Sequence, residues 1–201
     1  MVEIVAILAA GIWAFYVFVF ENRIKPSFTD PQIDVAATLE KTSQRGGATG
    51  VLLRTSFRNT GTVRFYFAGF AVTVLGTNMT LSRKPPPTAV PGIEDNTHTY
   101  FTLSKATPVY GFGFVTYLAN PKSPHGGELE PGGATEQEHT FFIPTNRFDV
   151  LTVHVSACIA KSSDHRIPAK LKVGSDGVTG VTCSPDAVHV SYDVGSLDLR
   201  K

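Results

Sequence analysis

The stretch that most suggests chemistry is "SSDHR", Ser162 to Arg166, where a serine, an aspartate and a histidine stand side by side. These are the groups of a nucleophile, an orienting acid and a base. In a working triad the fold brings such groups together from separate positions, whereas neighbours on one loop point in different directions. The run is therefore read as a solvated loop. A second grouping sets His165 after Cys158 and His189 after Cys183, with His154 just upstream. A blue-copper centre uses one cysteine, two histidines and a weak axial methionine. Met79 is the one methionine after Met1, so no metal or other cofactor is expected and a metal or redox β-domain is kept as the lesser alternative. His154, on a strand-like segment, reads as a packed or hydrogen-bonded residue rather than a ligand.

Other catalytic signatures are missing: there is no G-x-S-x-G elbow, H-E-x-x-H helix, Walker loop or C-x-x-C pair. "GFGFVT" begins like a dinucleotide loop at Gly111 and Gly113, but Thr116 stands at the third glycine position and aromatic residues fill the gaps. It reads as a strand. The chain is thus expected to be non-enzymatic. Charged residues make up 17% of it and the formal net charge is +1, which leaves no broad field to hold a phosphate backbone and argues against nucleic acid.

What stands out instead is aromatic surface. In "VRFYFAGF", straight alternation puts Val63, Phe65 and Phe67 on one face and Tyr66 and Phe70 on the other. In "VYGFGFVTYL", Tyr110, Phe112 and Phe114 share a face, and Gly111 and Gly113 form a flat strip opposite. A sandwich covers one face of each sheet. Tyr66, Phe70, Tyr110, Gly111, Phe112, Gly113 and Phe114 are accordingly the candidate partner contact.

The elements that must carry these residues begin with an apolar run. Ile4 to Phe20 holds 17 residues without a charge, about 26 Å of helix against a hydrocarbon core of roughly 30 Å. Ile4, Ile7, Leu8, Ile12, Trp13, Phe15, Tyr16, Phe18 and Phe20 leave it no polar face. Its flanks lack the basic start and small-residue cleavage site of a signal peptide, so a retained transmembrane anchor is expected over residues 1–25. Arg23 and Lys25 follow the run and no basic residue precedes it, which leans the following domain towards the cytoplasm. Residues 26–32, with Pro26 and Pro31, read as a stiff connector.

Residues 33–201 read as one β domain. "IDVAATL" and "VLLRTSFRN" alternate with period two; "NTGT" at Asn59 to Thr62 is expected to close a hairpin to "VRFYFAGFAVTVLG", with Gly69 marking a bulge or bend. Lys84 to Gly92 is a proline-rich surface excursion. "HTYFTL", "VYGFGFVTYLA", "TFFIP", "FDVLTVHVSACIA" and "AVHVSYDV" supply further strands, and Asn120 to His139 reads as a long polar loop. About eight strands separated by Gly/Pro turns imply an all-β fold, an antiparallel immunoglobulin-like sandwich preceded by one transmembrane helix. Cys158 and Cys183 are either two buried free thiols or a bridge, and a bridge would place the domain on an oxidising side.

The functional expectation is a single-pass membrane accessory or scaffold subunit, in contact with the lipid bilayer and other membrane-protein subunits. Its β domain would stabilise a larger complex, an energy-converting respiratory or photosynthetic one being a possible home. The alternative is a membrane-tethered carrier that holds an apolar ligand between aromatic-lined sheets.

Overall fold

The computed structural model describes residues 2–24, 30–82, 100–115, 127–161, 169–185 and 187–200. The proline-rich run Lys84 to Gly92, much of the connector and the Ser162 to Arg166 run lie outside the described residues.

An α-helix, α1 (Val2–Tyr16), passes directly into π-helical turns over Val17–Ile24. The 15 residues of α1 rise about 22 Å, and no helix among the described residues is long and apolar enough to cross a membrane. The single spanning helix expected over Ile4 to Phe20 is thus not found as such, because the α-helical hydrogen-bond pattern stops at Tyr16. The side chains from Ile4 to Phe18 are exposed, while Phe20 is half-buried and stacks on Tyr16 with ring centres 5.1 Å apart.

The rest is β structure: β1 (Ile33–Arg45), β2 (Ala48–Asn59), β3 (Phe65–Thr77), β4 (Met79–Ser82), β5 (Tyr100–Leu103), β6 (Thr107–Val115), β7 (Glu128–Leu129), β8 (Ala134–Pro144), β9 (Val150–Ala160), β10 (Lys170–Val173), β11 (Thr179–Thr182) and β12 (Val188–Asp198). Two antiparallel sheets face one another, one ordered β1-β2-β8 and the other β12-β9-β3-β6 with β7 beside β3. Alternation on β1 and β2 turns Val35, Leu39, Val51, Leu53 and Phe57 inward, onto Phe65, Val72, Val74, Leu151, Val153 and Val155 of the second sheet. On the outer face of the first sheet, Arg54 donates to Glu138 and faces Glu40. The Glu138 hydrogen bond, and then the Glu40 charge, raise the pKa of the guanidinium above its ordinary value.

The hairpin expected across Asn59 to Thr62 is not formed. β2 and β3 lie in different sheets, and this segment carries the chain from one to the other. The buried Asn59 side chain holds the crossing: its Nδ2 donates to the carbonyls of Val63 and Leu129 at 2.9 and 2.8 Å, and its Oδ1 accepts from Gly61 N–H at 3.0 Å. The true hairpin joins β1 to β2 through Gly46 and Gly47, both at positive φ (59° and 80°), the conformation a two-residue reversal demands. The stretch Ala134 to His139, read as loop, belongs to β8; its polar residues alternate across an edge strand instead of lying in a coil.

The second sheet is covered on both faces. The hairpin of β10 and β11 lies over its outer side, where Ala71, Val115, Cys158, Ala169 and Val181 form a small second cluster. A disulfide between Cys158 and Cys183, with Cα atoms 5.6 Å apart, staples that cover to β9. Thr179 N–H donates to Thr73 Oγ1 and Val181 N–H to Ser156 Oγ, each at 3.1 Å.

Candidate functional site

The candidate contact residues are split by a bulge. β3 pairs with β9 in a register that shifts between Phe67 and Gly69, and an extra residue at that point reverses which side chains face inward. Phe65 and Phe67 point to the main core, and beyond the bulge so do Phe70, Val72 and Val74. Phe70 is therefore 4% exposed and lies within the core, not on the Tyr66 face as straight alternation implies. Tyr66 itself is half-buried, with the Arg64 guanidinium 5.6 Å from its ring centre.

Tyr110, Phe112 and Phe114 share a face, as expected, but it is the inward one. β6 ends its sheet and β8 ends the other, so these three side chains close one side of the sandwich rung by rung. Tyr110 stacks on Phe141, ring centres 4.7 Å apart and planes 4° from parallel, and its hydroxyl lies 3.0 Å from His139 Nδ1. Phe112 stacks on the His139 ring at 3.9 Å. Phe114 meets Phe70 edge to face at 4.6 Å. Gly111 and Gly113 lie on the opposite, exposed face, beside a groove of about 380 Å³ that Thr73, Pro108, Gly177 and Thr179 help to line. A side chain at Gly113 would run into the Phe70 carbonyl, so this glycine serves the close approach of β6 to β3.

At the end of this aromatic edge is a cavity of about 240 Å³ between the sheets. Phe57, Phe67, Phe70, Phe114 and Leu129 form its apolar wall, and Glu128, Thr135 and Gln137 bring polar groups to it. Its rings pack as a herringbone: Phe57 meets Phe67 at 5.4 Å edge to face and Phe70 at 5.3 Å. Sequence alternation places Phe57 and Phe67 on strand faces but not among the candidate contact residues, and Gln137 and His139 fall in the stretch read as loop. The available signal was the continuation of the Phe141 and Ile143 alternation back through His139, Gln137 and Thr135.

A polar ladder on the outer face joins β9 to β12. Asp193 Oδ1 lies 2.9 Å from His154 Nδ1, and Ser191 Oγ 3.2 Å from His154 Nε2. If Asp193 accepts from Nδ1–H, Nε2 is left to accept from the serine hydroxyl, the order of groups in a serine hydrolase. The orienting carboxylate of such an enzyme is buried, whereas Asp193 is 80% exposed and its hold on the ring is screened by water. Ser156 Oγ and His189 Nε2, 3.1 Å apart, repeat the cross-strand pairing. His154 is thus a hydrogen-bonded strand residue. Cys158 and Cys183 are joined to each other, which removes the thiolate a copper centre would use. Among the described residues, no three His, Cys, Asp or Glu are grouped to hold a metal ion.

No protein-family model matches the chain, and no curated protein matches it. Several solved structures are loosely similar, two of them as follows. Northeast Structural Genomics Consortium target SoR45 is 9% identical, with 85% of this chain and 88% of that one covered and a TM-score of 0.40. A Bordetella pertussis protein provisionally named ApaA is 10% identical, with 83% and 96% covered and a TM-score of 0.36. Likenesses this loose transfer no function.

Proposed function

We propose that the chain is a non-enzymatic, membrane-tethered accessory subunit. In this reading α1 and the π-helical turns after it seat in the bilayer, and the β domain is held beside the membrane to make protein contacts. The observation that carries it is the apolar surface of α1 and the first of the π-helical turns, whose side chains from Ile4 through Phe18 are exposed with no polar stripe among them. Water penalises such a surface by about 25 cal/mol per Å², and lipid or neighbouring helices remove the penalty. α1 is several ångströms shorter than the hydrocarbon core, a mismatch that bilayers meet by local thinning. The Cys158–Cys183 disulfide supports an oxidising side for the β domain and outweighs the lean drawn from Arg23 and Lys25, which rests on two charges. The facing sheets are compatible with an immunoglobulin-like sandwich.

The test compares residues 1–201 with residues 30–201 in membrane fractions washed with carbonate. The longer form is expected to stay in the pellet and the shorter to be released. Release of both would remove the tether and the reading with it. Co-purification from mild detergent then identifies the partner chains.

A second reading, a binding module for an apolar ligand, is favoured by the aromatic cavity between the sheets.

A further inference from the structure

We infer that this cavity is a binding site for a small molecule built on one aromatic ring and carrying a single hydrogen-bonding oxygen. The inference rests on the second reading above and gives it a ligand class.

Size sets the first limit. A dry cavity of about 150 Å³ lined by Leu, Ile and Phe accepts benzene, and drug-sized ligands occupy roughly 300–1,000 Å³. The volume here, about 240 Å³, falls between the two and suits one substituted ring. The walls set the second limit. Phe57, Phe67, Phe70 and Phe114 already pack edge to face, so an aromatic guest can extend the same arrangement, which aromatic rings prefer to direct face-on stacking.

The third limit is polar. Gln137 is half-buried and lines the cavity, and its amide makes no hydrogen bond among the described residues. The amide is still open to water at the cavity, since the buried side-chain atoms without a partner do not include it, and it can either donate to or accept from a guest oxygen in place of that water. Thr135, exposed at the same cavity, stands at its mouth. The site also lies at the end of the sandwich where β1 begins, since Phe57 pairs with Val35, two residues after Ile33. Only eight residues separate Ile33 from Ile24, a span of at most about 30 Å, so a ring-bearing guest could arrive either from lipid or from water.

The probes are 4-fluorophenol and fluorobenzene, matched in ring and differing in the hydroxyl, titrated into the 201-residue chain in detergent and followed by fluorine NMR. Binding is taken as the difference from Thr135→Trp, which blocks the mouth from an exposed strand position and cancels partition into micelles. Native protein is expected to bind both probes, 4-fluorophenol roughly 3- to 10-fold more tightly. Gln137→Leu should keep fluorobenzene binding and abolish the preference. No difference between native protein and Thr135→Trp for either probe would overturn the site and the second reading together, for example because the chain's own residues fill the cavity. Equal binding of the two probes, unaltered in Gln137→Leu, would leave an apolar site and overturn the assigned ligand class. If native protein copurifies with a ring-bearing lipid by native mass spectrometry, the source is the membrane; if dialysis removes the guest, it is the aqueous phase.

Discussion

Breaking the Cys158–Cys183 bridge should loosen one part of the molecule before the rest. The bond closes a loop with a sequence separation of 25 residues, and the chain-entropy relation for such a loop gives about 3.5 kcal/mol of stabilisation at 25 °C. With a urea dependence of about 2 kcal/mol per molar, the unfolding midpoint should fall by roughly 1.7 M on reduction. The loss should not be uniform. β10 and β11 pair with each other in a four-residue ladder, and an isolated two-stranded hairpin is marginal in water. Apart from the bridge, the cover is held by a small cluster around Ala71 and Val181 and by the hydrogen bonds of Thr179 and Val181 to Thr73 and Ser156.

Hydrogen exchange on oxidised and reduced protein reads this directly. The amides of Thr179 and Val181 should lose most of their protection, while those of β3 and β9, paired across eleven residue pairs, should follow the global stability. The paired change Cys158→Ala with Cys183→Ala should behave like the reduced protein, apart from a packing loss of about 1 kcal/mol at the buried Cys158 site. A midpoint within about 0.3 M of the oxidised value, with Thr179 and Val181 still protected, would show that the hairpin is held by its own contacts and that the loop-closure reasoning is wrong.

Phe70→Ala should lose about 3–5 kcal/mol, and Tyr66→Ser less than about 1 kcal/mol, in urea unfolding; equal losses would contradict the bulge-reversed facing of β3. Thr55 Oγ1 is buried without a hydrogen-bond partner among the described residues, so Thr55→Val should be neutral or stabilising by up to about 1–2 kcal/mol. A loss above about 1 kcal/mol would mean that the hydroxyl does have a partner. Gly113→Ala, which drives a methyl group into the Phe70 carbonyl, should cost more than about 1 kcal/mol, and more than Gly111→Ala, whose methyl group would stand 3.3 Å from the Val72 carbonyl; thermal unfolding of the two variants separates them.

Some of this was legible without coordinates. The period-two alternation of Val35, Leu39, Val51, Leu53 and Phe57 identifies two strands and the faces they bury, because side chains on a strand point alternately to either side and only one side of these strands is apolar. Antiparallel β architecture follows from that pattern and from the glycine turns. The apolar run from Ile4 marks a helix at odds with water. The shared face of Tyr110, Phe112 and Phe114 was also readable, since no irregularity interrupts the alternation across those five residues.

Only the tertiary structure decided which way those faces turn. A bulge beside Gly69 moves Phe70 from the outside to the core; glycine signals that a bend is possible, but the number of residues absorbed there depends on pairing with β9, more than 80 positions away. The segment after Asn59 crosses between sheets because the Asn59 amide is met by Leu129, a contact no local turn rule contains. Cys158 and Cys183 pair because β9 and the end of β11 are stacked, and the cavity exists because Gln137 of one edge strand faces Phe114 of the other. Local alternation is a property of consecutive residues and is written in their order. Sheet exchange, bridging and cavity formation depend on contacts between distant segments, whose partners are chosen by packing the whole domain.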